Sequence, residues 1–190
     1  MLLSRRCLSD ERLIRQSRRD PARFGDLVER HHDGVHRYLH RRAGRDLADD
    51  LAAETFARAF QVRMRYEAQT DSALPWLYGI ATNLLRAHRR TEDRGLRAFV
   101  SLGVDSAVAF DADRVIDRVD AQRRGVELAA VLLALPEGQR DAVCLRALAD
   151  LSYGEIAVAM NTTEESVRGL LRRGTASARA ELAATGEDHR

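Results

Sequence analysis

Apolar residues recur at helical spacing through most of the chain, and the period is clearest between Ser72 and Arg90. There Leu74, Leu77, Tyr78, Ala81, Leu84, Leu85 and His88 fall three and four apart, the stripe a helix buries against its own domain. The opposite stripe carries Trp76, Ile80, Asn83, Ala87 and Arg90, with Arg86 and Arg89 beside it. That combination suits unpaired nucleic acid: rings stack on bases, the amide reads a base edge, and guanidinium groups hold phosphates. The structural alternative is that Trp76 is core and the arginines are ordinary solvated charges.

Upstream, Asp10 to Arg19 is a short, Arg-rich helix with Leu13 and Ile14 as its apolar patch. Asp20-Pro21 then makes a helix start, Asp as N-cap and Pro in the first turn. Phe24, Leu27, Val28, Val35, Tyr38 and Leu39 keep helical period until Gly44. His32, His36 and His40 fall four apart on this helix, with His31 adjacent. Three histidines on one face could bind a transition metal, but no HExxH-type motif or Cys ligand accompanies them, and solvated histidines are commoner. Asp46 is the expected cap of the next helix, which buries Leu51, Ala52, Thr55, Phe56, Ala59 and Phe60. Asp46, Asp49, Asp50 and Glu54 gather at its N-terminal end, where the helix dipole favours them. They serve either as capping charges or as an acidic docking edge for a basic partner. Glu67 to Asp71 is a polar turn, and Ser72 caps the helix described first.

Thr91 to about Arg124 lacks sustained periodicity and is acidic in its middle, with Asp105, Asp111 and Asp113 and no Arg from Ser101 to Asp113. It reads as a flexible linker, too long for a tight loop inside one domain. From Val126 a second helical unit begins, with Leu128, Val131, Leu132 and Leu135 on one stripe. Pro136 opens a helix carrying Val143, Leu145 and Leu148. Ser152-Tyr-Gly-Glu155 is a capping box; the short helix it starts holds Ile156, Ala157 and Met160. Asn161-Thr162-Thr163 makes a turn, a Thr hydroxyl caps the next helix, and that longer helix buries Val167, Leu170 and Leu171. Short helix, three-residue turn, longer helix is the helix-turn-helix layout. Ser166, Arg168, Arg172 and Arg173 form its positive outer face, with no acid between Glu165 and Glu181. The alternative is a plain surface helix in a bundle.

Composition narrows the class. Over 190 residues, 45% hydrophobic and 32% charged content describes a globular chain rather than a disordered one. The net charge of +2 is small, so any nucleic-acid surface must come from local clustering. Every basic residue is Arg. Cys7 and Cys144 match no metal-ligand or redox spacing, which points to the reducing cytosol. The longest apolar run, Val126 to Leu135, is too short to span a bilayer, and Met1 to Arg6 has no apolar core behind it. No membrane insertion and no cofactor are expected. The expected fold is all-α: two small helical domains, 10–94 and 125–184, joined by the linker 95–124.

Four motifs in register carry a resemblance. Asp49–Phe56 (DDLAAETF), Trp76–Asn83 (WLYGIATN), Leu135–Arg140 (LPEGQR) and Leu151–Ile156 (LSYGEI) resemble extracytoplasmic-function (ECF) sigma factors of bacterial RNA polymerase, from about Asp10 to Leu182. The resemblance implies sigma region 2 in the first domain and region 4 in the second, with no enzymatic activity. It implies that Asp49, Asp50, Glu54 and Phe56 contact core polymerase at the clamp coiled coil, the flap being the second polymerase contact. Trp76, Ile80, Asn83, Arg86, Arg89 and Arg90 would act at the promoter −10 element, Asn83 and its neighbours capturing a flipped base. Ser166, Arg168, Arg172 and Arg173 would read the −35 element, and the linker would thread near the template and nascent RNA. An anti-sigma factor is the further partner such proteins admit. The chain departs from the family pattern in Ala53 for Gln, Gly79 for Arg and Asn161 for Gly. Gly169 and Gly174 also lie inside the recognition helix, each costing about 0.8–1 kcal/mol relative to Ala.

Two rival readings differ in class. A free-standing helix-turn-helix regulator would leave the Asp49–Glu54 edge and the Trp76–Asn83 stripe idle. A metal-dependent enzyme built on His32, His36 and His40 lacks a phosphate loop, a nucleophile–base arrangement or a second ligand set.

Overall fold

A computed structural model describes the backbone of residues 8–101 and 128–187, and the side chains of 8–92 and 128–183. Every regular element among these residues is helical. The acidic middle of the expected linker (Asp105, Asp111, Asp113), Val126 and Cys7 lie outside the described residues. No helix among the described residues is long and apolar enough to cross a membrane.

Helix α1 (Asp10–Ser17) starts where the Ser9 hydroxyl accepts the Arg12 N–H at 3.3 Å. Its two apolar residues, Leu13 and Ile14, are fully buried. Helix α2 (Arg23–Ala43) begins later than Pro21. Asp20 caps the turn ahead of it, its carboxylate accepting the Ala22 N–H at 3.2 Å. Gly44, at φ +79°, ends α2 and also starts α3 (Arg45–Val62). Asp46 is therefore not the cap expected of it. The left-handed Gly44 reverses the chain so tightly that its own carbonyl takes the Ala48 N–H, and Asp46 falls inside the first turn. There it still faces the positive end of the helix dipole.

After a 3₁₀ turn (Arg63–Arg65) and a loop comes α4 (Leu74–Ser101). It runs on into the stretch expected to be linker. Local bonds sustain it where the apolar face lapses: Thr91 donates its hydroxyl to the Ala87 carbonyl, and His88 pairs with Glu92 one turn on. The second unit comprises α5 (128–134), α6 (Glu137–Leu148), α7 (Tyr153–Met160) and α8 (Glu164–Glu187). Leu128, expected on the buried stripe of α5, is 50% exposed, and burial on that stripe begins at Val131. The hydrogen bonds that tie α5 to α6 fall at its far end. There Arg140 donates to the carbonyls of Leu132, Leu133 and Leu135.

In the first unit α2 packs on α1, α3 and α4, and α3 packs on α4. Leu27, Val35 and Leu39 meet Leu51, Phe56, Leu77 and Leu85 in its core. Each such side chain contributes roughly 1.5–3 kcal/mol by leaving water. In the second unit α6 and α7 pack on α8 around Leu145, Ile156 and Val167. The two units also meet: α7 lies against α4, and their buried side chains form one apolar cluster.

Candidate nucleic-acid interface

Three surfaces carry the residues singled out in the sequence. The first is α4. Ser72 accepts the Leu74 N–H at 3.2 Å, as its capping role requires, and Asp10 accepts the adjacent Ala73 N–H at 2.8 Å. The stripe expected to be buried is buried at Leu77, Tyr78, Ala81 and Leu85. On the other stripe Trp76 and Ile80 are half-buried, while Asn83, Ala87 and Arg90 are exposed. The Trp76 ring packs at 4.7 Å from the Tyr66 ring, so one face of the indole is already occupied. Asn83 presents its amide to solvent. Arg90 donates to the Arg86 carbonyl at 3.3 Å.

Arg86 and Arg89 are engaged within the chain. Arg86 pairs with Asp141 and with Glu137, the latter at 3.0 Å. Arg89 donates to the Arg42 carbonyl at 2.7 Å. Burial lowers the pKa of Arg89, and the neighbouring Arg42 and Arg140 charges lower it further. The structure thus groups Trp76, Ile80, Asn83 and Arg90 on a reachable face and holds Arg86 and Arg89 apart from it.

Gly79, one of the departures from the family pattern, is buried against α7. A Cβ at this position would sit 2.5 Å from the carbonyl oxygen of Ala159, inside any allowed contact. Asp141 of α6, 1% exposed, is clasped by Arg42 at 2.5 Å and by Arg86, about two turns along α4 from Gly79. Arg42 continues the network to the Tyr38 hydroxyl, which shares a hydrogen bond with Thr82. Burial acts to lower the Arg42 pKa, but the Tyr38 oxygen and the Asp141 carboxylate outweigh it and raise it above the ordinary guanidinium range. Tyr38, fully enclosed, is pushed up to about 12. Arg42, Thr82 and Asp141 were not singled out in the sequence: Asp141 lies 99 positions from Arg42, and Thr82 lies 44 from Tyr38.

The second surface is the acidic edge of α3. Asp49, Asp50 and Glu54 are exposed, whereas Phe56 is only 6% exposed and stacks on His32 at 6.1 Å. Phe56 can therefore support the edge from beneath but offers little contact area. The rings of His32, His36 and His40 stack along α2 at 5.8 and 6.2 Å, and His36 Nε2 meets Asp49 at 2.7 Å. The four-residue spacing puts these imidazoles in a column beside the acidic edge. Among the described residues no group of three or more His, Cys, Asp or Glu is arranged to hold a metal ion.

The third surface belongs to the last two helices. The capping box at Ser152 is complete: its hydroxyl accepts the Glu155 N–H, and Glu155 reaches back to the Ser152 N–H at 2.8 Å. Asn161 closes α7 in the left-handed conformation, at φ +49°, ψ +54°. The Thr163 hydroxyl then accepts the Ser166 N–H at the head of α8. Ser166, Arg168, Arg172 and Arg173 are all exposed. Arg168 and Arg146 flank the half-exposed Tyr153 ring, each 5.9 Å from its centre, an aromatic neighbour the sequence did not single out. Gly174 has a packing reason: a Cβ there would lie 3.0 Å from Val143 and 3.3 Å from Gln139 on α6.

Comparison with known proteins agrees with this layout. Residues 27–95 match Sigma-70 region 2, and residues 125–176 match Sigma-70, region 4. The chain is 33% identical over 161 residues to the ECF RNA polymerase sigma factor SigE of Mycolicibacterium smegmatis, covering 84% of this chain and 62% of that protein. It thus spans about three-fifths of the length of that relative. It is 27% identical over 179 residues to the ECF RNA polymerase sigma factor SigW of Bacillus subtilis, covering 90% of this chain and 95% of that one. In fold it is similar to the sigma factor RpoE from Bartonella quintana, solved in complex with the anti-sigma factor NepR. That likeness has a TM-score of 0.60 and 18% identity over 84% of this chain and 96% of that one. With region 2 and region 4 in this order on an all-helical frame, the chain belongs to the sigma-70 family of RNA polymerase sigma factors, in its ECF group.

Proposed function

We propose that this chain binds core RNA polymerase, directs it to a promoter of two elements and nucleates strand opening. Helix α8 reads the −35 duplex through Ser166, Arg168, Arg172 and Arg173. Helix α4 acts at the −10 element, with Asn83 capturing a flipped base and Trp76, braced by Tyr66, supporting the strand. Arg90 lies on the same face, and Arg86 and Arg89 join it once freed from their in-chain partners. The edge formed by Asp49, Asp50 and Glu54 docks on the polymerase clamp, Phe56 and the histidine column holding it from beneath, while the second unit meets the flap. The two units are the domains 10–94 and 125–184, with 95–124 as the connection. The protein works in the cytoplasm as a binding protein without catalysis of its own, and an anti-sigma factor is a further partner.

The observation that supports this most is that one chain exposes two faces of different chemistry, each suited to nucleic acid in a different state. The α8 arginine face suits a major groove. An exposed amide beside an indole on α4 suits a base that has left the stack. A duplex-binding regulator needs only the first. Taking a base out of the stack costs a few kcal/mol, so the capturing amide must be held in place beforehand.

Transcription in vitro with core polymerase and Asn83→Ala tests the reading. The variant should form holoenzyme and bind the upstream element as the parent does, yet yield fewer open complexes by permanganate reactivity of unpaired thymines. A template mismatched across the melting region should restore part of the activity. Normal opening by Asn83→Ala would remove the base-capture role, and failure of the parent to direct core polymerase at all would remove the whole reading.

A further inference from the structure

Beside the acidic edge of α3 stands a stack of three imidazoles on a wetted face of α2. His32, His36 and His40 are four residues apart, a rise of about 6 Å each time, and their rings stack at 5.8 and 6.2 Å. The column runs antiparallel to α3. His32 lies over Phe56, His36 reaches Asp49 nearer the head of that helix, and His40 follows toward its first turn. A carboxylate only accepts, so the proton in the 2.7 Å contact belongs to His36 Nε2, whether the ring is neutral or charged. We propose that His36 is a positioning residue for polymerase docking: neutral, it holds the Asp49 carboxylate in place at full charge, and once the column is protonated it cancels that charge and loosens the hold on core polymerase.

Three observations carry this. First, Asp49 is held without being hidden: His36 takes one carboxylate oxygen, yet the side chain stays 71% exposed and open to a partner. Second, the column is reachable by water, with His36 29% exposed and His32 and His40 exposed, so protons come and go without unfolding. Imidazole is the side chain that ordinarily changes charge between pH 5 and 8. His31, next along the helix, is the contrast, since it is buried against Asp10 and serves the core. Third, the surrounding charges leave the balance to this column. From α3 the neighbours are Asp49, Asp50 beside it, and Arg45 and Asp46 one turn before. On α2 itself Asp33 lies 3.4 Å from His32, and Arg37 follows His36. The charges of α1 and α4 nearest α2 are engaged elsewhere: Asp10 holds Arg30 and His31, Arg86 holds Asp141 and Glu137, and Arg89 donates to the Arg42 carbonyl. A fully protonated column brings one positive charge for each of Asp49, Asp50 and Glu54. A basic partner drawn to the edge at neutral pH therefore meets a surface of little net charge in acid.

The inference rests on the proposed docking of this edge, but the pair itself can be measured without polymerase. Affinity of the full-length chain for core polymerase is compared from pH 8 down to pH 5.5 for the parent, His36→Gln and His36→Ala. Glutamine presents an N–H where Nε2 stands and takes no proton. It should match the parent at pH 8 within about twofold, yet escape the loss of up to about fivefold that the parent shows in acid, the worth of one exposed ion pair. Titration of the polymerase itself is common to all three and cancels in their ratios. His36→Ala leaves the carboxylate free to swing, so it should bind more weakly than both at pH 8 and be as insensitive to acid as the Gln variant. Replacing His32, His36 and His40 together by Gln should remove the rest of the fall. All variants should keep the parent's far-UV helicity. A parallel fall in parent and His36→Gln would overturn the charge effect, and His36→Ala binding as tightly as the parent at pH 8 would overturn the positioning role. Histidine side-chain NMR of the full chain, parent against Asp49→Asn, reads the pair alone: the His36 signals should move, and unchanged signals would overturn the contact. If the parent bound no core polymerase at any pH, the proposed function would fail and the docking role with it, and the NMR would still decide the pair.

Discussion

Asp10 shows how much one side chain can organise. It is 4% exposed and accepts hydrogen bonds from Arg30 at 2.6 Å, His31 at 2.7 Å, the Ala73 N–H at 2.8 Å and the Ser72 hydroxyl at 3.2 Å. It thereby joins α1 to α2 and caps α4 from outside. Burial raises its pKa, but the bonds from His31, Ala73 and Arg30 and the His31 charge win and hold it well below the usual carboxylate range. Because the folded value lies below the unfolded one of about 3.9, the stabilisation is present above that pH. It is lost as pH falls through the folded value. Asp10→Asn should cost about 1–3 kcal/mol at neutral pH and flatten the loss of stability below about pH 4. Urea midpoints measured from pH 2 to 7 check both parts, and equal midpoints at neutral pH would mean the network contributes nothing.

At the level of elements, the turn between α7 and α8 sets the angle at which the arginine face is presented. Its key residue is Asn161, whose left-handed backbone suits glycine and, among L residues, the short polar side chains of Asn and Asp. Asn161→Val should destabilise the chain by about 1–2 kcal/mol, since a β-branched side chain meets the backbone there. Asn161→Gly should be neutral within about 0.5 kcal/mol or slightly stabilising. Thermal or urea unfolding of the pair separates conformational strain from loss of a side-chain contact, because both variants delete the amide. Equal losses in the two would assign the effect to the amide. A similar local logic explains Gly174, where the helix-propensity cost is offset by the close approach of α8 to α6.

At the scale of the whole molecule, function depends on charge distribution rather than net charge, which is only +2. The arginines of α8 and the acidic edge of α3 lie on different helices. Arg168 pairs with Glu164 at 3.4 Å, and with side chains 63% and 53% exposed that pair is worth little. It should yield readily to a phosphate or a base. Replacing Arg168, Arg172 and Arg173 together by Ala should weaken −35 binding. It should also reduce the slope of log affinity against log salt by roughly one for each arginine that contacts a phosphate. An arginine that reads a base should instead cost about 1–3 kcal/mol and relax one promoter position. Binding of holoenzyme to promoter DNA across a salt series distinguishes these, and an unchanged affinity and slope would mean the face is merely solvated.

What the sequence determined by itself was local. The stripes at Leu77–Leu85 and Leu51–Ala59, the stop at Gly44, the Ser72 cap, the capping box at Ser152 and the Asn161 turn all depend on groups within a few residues of one another, and linear spacing encodes them. The four motifs added the family through their order. The expected cap at Asp46 failed because the positive φ of Gly44 moved the helix start, and α4 outlasted its apolar period through side-chain bonds at Thr91 and His88. Tertiary structure alone decided the rest. Asp10 meets Ser72 and Ala73 across 62 and 63 positions, and Asp141 meets Arg42 across 99 and Arg86 across 55. Arg86 and Arg89 look like free phosphate ligands on a helical wheel, but the fold had already given each a partner. Gly79 reads as a weak point in a helix until α7 is laid against it. Periodicity records which face of a helix is apolar; it carries no information on which distant surface will cover the other.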